Sequence, residues 1–343
     1  MGDGRVTILD VAERAGVSIS SVSAALNDKP GVSETTRDKI RAVAAELGFI
    51  PSIRGRSLSG KRAFAAGLVV QRSTEVLESD PFFASFISGI ESVLGVRGYA
   101  LVLQMAGDSA EALRHYRQLV GGRRVDGVFL NELEIDDSRI PLIQELGIPA
   151  VAVNADVGPF RVPVVRQDYV EGIGQLVNYL AGMGHRQIAH LAGPPQFVHS
   201  RQRESAWRAA MTALGLEPGL VVAGDFTFEG GARAAESIYG GAHRPTAVVC
   251  ANDLMAAGFL ARTLDLGLRV PDDISIAGYD GIPLGEYVRP RLTTLRTTPH
   301  LLAEEAARML LGWIESGDRV ADVEIAPARL EIRESTGAVP AAR

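Results

Sequence analysis

The chain has 343 residues, 46% of them hydrophobic and 22% charged, with one cysteine and a formal charge of −6. A single cysteine excludes an intrachain disulfide and fits a reducing cytoplasm, and with no run of eighteen apolar residues no spanning helix is expected. Residues 1–62 hold ten Lys plus Arg against seven Asp plus Glu, a net +3 that leaves −9 for residues 63–343; such asymmetry suits a head that meets phosphates and a body that does not.

The head comes first. Thr7 followed three residues later by Asp10 is a capping-box-like start, and the helix it opens runs to about Ala15. Gly16 tolerates a left-handed backbone and ends that helix in a tight turn. Ser18 caps a second helix, with Val22, Ala25 and Leu26 inward and Ile19, Ser20, Ser21 and Ala24 outward. Ser33 caps a third, with Ile40, Val43, Ala44 and Leu47 on its buried face and Gly48 at its end. Two short helices joined by a glycine turn make a helix-turn-helix, whose second helix can enter a DNA major groove; a small helical dimerisation bundle is the alternative on spacing alone. From Pro51 to Arg62 the chain carries Arg54, Arg56, Lys61 and Arg62 and no acid. The amino terminus reads as a charged helical head and not as a signal peptide.

About 280 residues follow, enough for two α/β lobes. Short apolar runs at 64–70, 99–103, 125–130 and 150–153 alternate with helical patterns at 86–96, 110–120 and 140–146. A second series of runs lies at 162–165, 188–191, 221–222, 247–250 and 274–277. This is the grammar of two parallel sheets covered on both faces, with ligands expected beyond the carboxyl ends of the strands. Asn131, Asn252, Asp253 and Asp280 stand at such ends, Arg203 opens a helix and Asp168 follows an apolar run. Carboxylates, amides and a guanidinium around one cleft can divide the hydroxyls of a sugar among them, although any of these can instead cap a helix, Asp253 in particular. Phe226, Phe82 and Phe83 can supply an apolar face or simply core, and Cys250 reads as core.

The run Asp10-Val-Ala-Glu-Arg-Ala-Gly-Val-Ser18, Ser-Val-Ser at 21–23, Leu26-Asn27, Gly31-Val-Ser33 and Thr36-Arg37 resembles the head of the LacI/GalR family of bacterial transcriptional repressors. The likeness continues through Gly-His-Arg at 184–186, Cys-Ala-Asn-Asp-Leu-Met-Ala at 250–256, Val-Pro-Asp-Asp-Ile-Ser-Ile-Ala-Gly-Tyr-Asp at 270–280 and Arg-Pro-Arg-Leu-Thr-Thr at 289–294. It implies an all-α helix-turn-helix head (1–50), a hinge helix or linker (51–62) and an α/β two-lobed, periplasmic-binding-protein-like effector domain with parallel sheets (63–343). Its amino-terminal lobe would take about 63–163 and 296–318, and its carboxyl-terminal lobe about 164–295 and 319–334.

By the same resemblance Ile19, Ser20, Ala24 and the hinge residue Leu58 would contact bases, while Thr7, Ser18, Ser21, Ser23, Asn27 and Ser33 would hold phosphates. Leu58 can alternatively be a linker residue packed on the body. Phe83, Asn131, Asp168, Arg203, Phe226, Asn252 and Asp280 match the family's effector contacts. There are departures. Ala24 stands where the family often has a base-reading Arg, Ser52 and Gly55 replace a usual Asn and Ala in the hinge, Thr297 and Thr298 replace Gln before Pro299, and Ala206 replaces a Gly. They imply fewer base contacts, a hinge more dependent on DNA for its order, and a ligand not fixed by the family norm.

The expected function is therefore that of a sequence-specific DNA-binding regulator, a cytoplasmic homodimeric repressor on a near-palindromic operator. A small-molecule effector, a sugar by expectation, would control its operator affinity from the cleft. A solute-binding module of a sugar uptake system would share the lobes but not the head. No catalytic residue, metal site, cofactor or membrane association is expected: His115, His185, His190, His199, His243 and His300 show no ligand spacing, and no phosphate-loop motif occurs. Residues 335–343 contain no leucine heptad, so no coiled-coil tetramerisation tail is expected.

Overall fold

The computed structural model describes residues 6–26, 30–49, 62–72, 74–155, 162–241 and 244–339. Contacts divide the chain into two units, 1–64 and 65–343. Asn27, Leu58 and all of the hinge except Arg62 lie outside the described residues.

In the first unit three helices, α1 (Ile8–Ala15), α2 (Ile19–Leu26) and α3 (Glu34–Glu46), pack around Val11, Ala15, Val22, Ala25, Ile40 and Ala44. Asp10 closes the first turn of α1 by accepting the Thr7 backbone N–H at 2.6 Å and its hydroxyl at 2.7 Å. Gly16 takes φ +67°, the left-handed angle required to turn the chain from α1 into α2 within three residues. Ser18 Oγ accepts the Ser21 N–H at 3.1 Å, and Ser33 Oγ accepts that of Thr36 at 3.4 Å. An Arg14–Glu46 pair at 2.8 Å joins α1 to α3 on the surface.

The second unit contains two six-stranded sheets. The first comprises β1 (Ala65–Val70), β2 (Ala100–Met105), β3 (Gly127–Leu130), β4 (Ala150–Val153), β5 (Val164–Gln167) and β11 (Val323–Ile325), in the order β11-β5-β4-β3-β1-β2. Every pairing in it is parallel. The second comprises β6 (Ile188–Ala192), β7 (Val221–Ala223), β8 (Ala247–Cys250), β9 (Ser275–Asp280), β10 (Thr293–Arg296) and β12 (Arg329–Glu331), in the order β12-β10-β9-β8-β6-β7. Only its β10–β12 edge is antiparallel. β1, β3, β4 and β8 are buried along their whole length, as strands covered on both faces must be.

In the first lobe α4 (Thr74–Ser79) leads into α5 (Pro81–Leu94), and α6 (Ser109–Gly121) packs on β1 and on α7 (Arg139–Leu146). In the second lobe α8 (Val170–Gly182) and α9 (Val198–Ala213) cover one face, around Leu176, Ile188, Trp207 and Tyr279. On the other face α10 (Phe228–Gly240) and α11 (Asp253–Asp265) enclose Cys250, Phe259 and Ile276, and the short α12 (Leu284–Tyr287) follows β9. α13 (Pro299–Ser316) returns to the first lobe against β3, β4, β5 and α5.

The lobe boundary differs from the sequence expectation. Residues 164–167 pair with β4 and β11 and so belong to the first sheet, while 319–334 divides, β11 going to the first sheet and β12 to the second. Apolar periodicity marks a strand but does not name its partner. The chain thus crosses between lobes after Gln167, Arg296 and Ile325, and one side chain ties the three crossings together. Gln167 Nε2 donates to Thr298 Oγ1 at 3.1 Å and to the Ala326 carbonyl at 2.9 Å, while its Oε1 accepts the Thr298 N–H at 3.1 Å.

Candidate functional site

Both sheets contain a switch point, between β1 and β3 in one and between β6 and β8 in the other, where successive strands depart in opposite directions. Loops diverge there beyond the carboxyl ends, leaving a crevice suited to a ligand. The structure places a cleft of about 760 Å³, mouth included, where the two sets of strand ends meet.

The first lobe contributes Arg72 after β1, Asn131 and Glu132 after β3, Asn154 after β4, and Asp80 and Phe82 at the start of α5. The second contributes His199 and Arg203 one turn apart on α9, Asp225, Phe226 and Thr227 after β7, Asn252 after β8, and Asp280 closing β9. Four of these residues hold a positive φ without being glycine: Glu132 at +46°, Asn154 at +50°, Phe226 at +67° and Asp280 at +114°. Such angles cost free energy, and their concentration where strands enter one cleft marks a site that the surrounding fold over-determines.

The polar groups fall into two kinds. Some are already engaged. Arg72 binds Glu132 in a two-pronged ion pair of 2.7 to 3.1 Å, with its guanidinium 4.1 Å from the ring centre of Phe197 and 5.5 Å from that of Phe226. Arg203 donates to the Ala251 carbonyl at 2.5 Å, stacks 3.9 Å over Tyr279 and lies 3.7 Å from Asp280. Asn252 caps α11 by accepting the Met255 N–H at 2.9 Å and donates to the Phe226 carbonyl at 3.0 Å, so it positions the loop bearing Phe226. Asn131 is of the other kind: it is 2% exposed, and neither its amide nitrogen nor its amide oxygen has a protein partner. A buried amide left unpaired on the wall of a cleft awaits a group that both donates and accepts.

Burial sets the protonation of several of these groups. It pushes Asp80 above the usual carboxylate range although the Phe82 N–H opposes the rise, and Glu132 adds to it. It pushes Asp280 well above that range against the pull of Arg203, with Asp80 and Asp253 adding to the rise. Burial, then the nearby cations Arg203 and Arg72, holds His199 well below its ordinary value, so the imidazole is neutral at pH 7.

Of the seven expected effector contacts, the cleft brings together Asn131, Arg203, Phe226, Asn252 and Asp280. Phe83 is not among them: its ring is 1% exposed, in the core, and meets edge-on at 5.5 Å the Phe82 ring that does line the cleft. Asp80 caps α5, and the seating of that helix against α13 turns residue 83 inward. Asp168 lines not this cleft but a neighbouring cavity that shares Asn154 with it, together with Gln167, Tyr169 and Gln202, and it accepts the Val170 N–H at 2.8 Å at the start of α8. Asp253 is not the cap of α11, which is Asn252. It is 1% exposed, accepting Thr294 Oγ1 at 2.6 Å and the Ile282 N–H at 2.8 Å, and burial raises it to about 7. Sequence reasoning missed Arg72, Asp80, Glu132 and His199. Arg72 and Glu132 follow apolar runs and His199 stands one turn before Arg203, signals that were present but shared with many surface residues.

On the head, Ser18, Ile19 and Ser20 are exposed at the start of α2, with Ile19 at 45%, while Ser21, Ser23 and Ala24 are half-buried. Ser18 Oγ lies 2.8 Å from Ser20 Oγ and 2.9 Å from Ser21 Oγ, gathering three hydroxyls at the helix amino terminus. Thr7 and Ser33 are exposed at their own helix starts. Among the described residues no cluster of His, Cys, Asp or Glu could hold a metal, and no helix is long and apolar enough to cross a membrane.

Comparison with known proteins decides what this pairing of head and cleft is. Residues 7–52 match the model for bacterial regulatory proteins of the lacI family, and residues 177–336 match that for a periplasmic binding protein-like domain. The HTH-type transcriptional regulator CelR of Thermobifida fusca is 33% identical over 95% of both chains. The protein belongs to the lacI family of bacterial regulators. A crystal structure of the lac repressor dimer bound to operator and the anti-inducer ONPF matches with TM-score 0.85 and 29% identity, over 97% of this chain and all of that one. A CelR–cellobiose complex matches with TM-score 0.75 and 32% identity, over 96% of this chain and all of that one. This lacI-family protein is accordingly a DNA-binding transcriptional regulator.

Proposed function

We propose that the protein is a homodimeric repressor whose operator affinity is set by a sugar held between the lobes. The observation that carries this reading is the cleft itself, built from strand ends of both lobes and containing the unpartnered Asn131 amide. A ligand touching both walls has a different affinity for each closure angle of the lobes, and that difference is what allows it to bias a second equilibrium. In this reading Asn131, Asp280 and Arg203 contact hydroxyls, Phe226 and Phe82 contact the apolar face of the ring, and Asn252 positions Phe226. No chemistry is assigned to the cleft, and the ligand leaves unchanged. The CelR complex with cellobiose and the lac repressor dimer on its operator support the ligand class and the dimer.

The head is assigned to residues 1–50, the hinge to 51–62 and the effector domain to 63–343. Ile19, Ser20 and Ala24 face bases and Leu58 the operator centre, while Thr7, Ser18, Ser21, Ser23, Asn27 and Ser33 face phosphates; the setting is the cytoplasm. Deleting residues 1–62 should abolish specific operator binding while leaving effector binding intact. Retained specific binding by the truncated chain would refute the assignment.

A further inference from the structure

Sites built for anions present a cation, or the amides of a helix amino terminus, without a competing acid. This cleft presents the reverse. Its two arginines both have acidic neighbours: Arg72 is held on two prongs by Glu132, and Arg203 lies by Asp280 with one nitrogen taken by the Ala251 carbonyl and its face by Tyr279. The third basic side chain on the wall, His199, is neutral. Asp225 is balanced from outside the cleft by Arg233 at 2.5 Å, whereas Asp80 brings a further carboxyl. Of the helix amino termini that reach the cleft, α5 is capped by Asp80 on the Phe82 N–H, α10 by Thr227 on that of Gly230 and α11 by Asn252 on that of Met255, while α9, which has no side-chain cap, gives its first N–H to the Leu133 carbonyl at 2.9 Å. Asp80 and Asp280 thus set two carboxyl groups on the cleft wall beside Arg203. The one lining side chain with both amide atoms unpartnered is Asn131, whose amide suits a hydroxyl because a hydroxyl donates and accepts at once.

Resting on the effector reading above, we infer that the ligand is uncharged and hydroxyl-bearing, a free sugar or a nucleoside, and that the cleft rejects their phosphates and carboxylates. A phosphate placed here would have to break the Arg72–Glu132 pair or draw Arg203 away from the Ala251 carbonyl and Asp280, with the carboxyl of Asp80 on the same wall.

The test uses the full-length protein with matched pairs by calorimetric titration and thermal shift: neutral mono- and disaccharides against their 6-phosphates and uronates, and neutral nucleosides against their monophosphates. The expected result is that one neutral arm binds, identifying sugar or nucleoside, with a Kd at least about tenfold below that of its charged counterpart. Glu132→Gln, which leaves Arg72 without its acid, should narrow that gap by roughly threefold or more. An anionic member binding as tightly as its neutral parent, in the wild-type protein, overturns the inference while leaving a small-molecule effector in place. Silence of every member removes the effector reading and this inference together.

Discussion

Arg72 and Glu132, which follow the neighbouring strands β1 and β3, bind each other at 2.7 to 3.1 Å with both side chains 12% exposed, and the guanidinium so held lies over Phe197 of the other lobe. Beside them the chain at 133–135 pairs with 196–198, the Ile135 N–H donating to the Gln196 carbonyl at 2.8 Å and the Val198 N–H to that of Leu133 at 2.9 Å. The loop is shaped from below by the buried Arg139–Asp137 pair, whose Asp137 also accepts the Glu134 N–H at 2.9 Å. The lobes are thus joined at the cleft by a clasp independent of the Gln167 hinge.

That clasp predicts coupling. Arg72→Ala and Glu132→Gln should each cost about 1–3 kcal/mol, because each leaves a largely buried partner unpaired. The double variant should cost clearly less than the sum. Denaturant melts of the four proteins measure this, and strictly additive costs would show that the pair does not act as a unit.

His190 stacks on Trp207 at 5.5 Å between ring centres, and burial lowers its pKa to about 4. A base depressed in the folded state below its unfolded value near 6.5 supports the fold fully above pH 6.5, and that support is lost as pH falls toward 4. In a Trp313→Phe background Trp207 fluorescence should therefore change with a midpoint near 4. A midpoint near 6.5 would contradict the buried neutral imidazole.

Ser335 is fully buried, donating to the Ile276 carbonyl at 2.6 Å and accepting the Thr293 N–H at 2.8 Å, so it stitches the carboxyl-terminal segment across β9 and β10. Ser335→Ala leaves both backbone groups without this partner and should cost about 1–3 kcal/mol. Differential scanning calorimetry is expected to show a lowered Tm, and an unchanged melt would mean that water replaces the hydroxyl without loss.

A Cβ on Gly258 would lie 1.8 Å from the Phe228 carbonyl oxygen, where α11 crosses α10. Gly258→Ala should destabilise the second lobe by about 1–3 kcal/mol. A Cβ on Gly174 of α8 would meet nothing within 4 Å, so Gly174→Ala should be neutral or stabilising by up to about 1 kcal/mol. Equal effects of the two substitutions would sink the close-approach argument.

Asn131, Asn252 and Asp280 were legible because a polar residue after a buried apolar run sits at a strand end, and parallel strands place their ends together. Arg203 was legible from its place at a helix start. Phe83 was misassigned for Phe82 because neighbours on a helix point about 100° apart and only the seating of α5 selects between them. Asp168 was misplaced into the main cleft because a polar residue after an apolar run reads alike whichever sheet that run joins. Arg72, Glu132 and His199 escaped because their significance lies in one another and not in their local sequence.

By itself the sequence determined what depends on a few neighbouring residues. The Asp10 and Ser33 caps, the Gly16 turn, the exposed start of α2, the alternation of strands and helices and the polar strand ends all follow from interactions spanning one or two turns. Only the tertiary structure decided which sheet receives residues 164–167, which phenylalanine faces the cleft, and that both arginines of the cleft lie beside acids while Asn131 is left open. Those outcomes join residues as far as 159 positions apart, as Gln167 joins Ala326, and contacts at that separation are settled by packing, which periodicity does not encode.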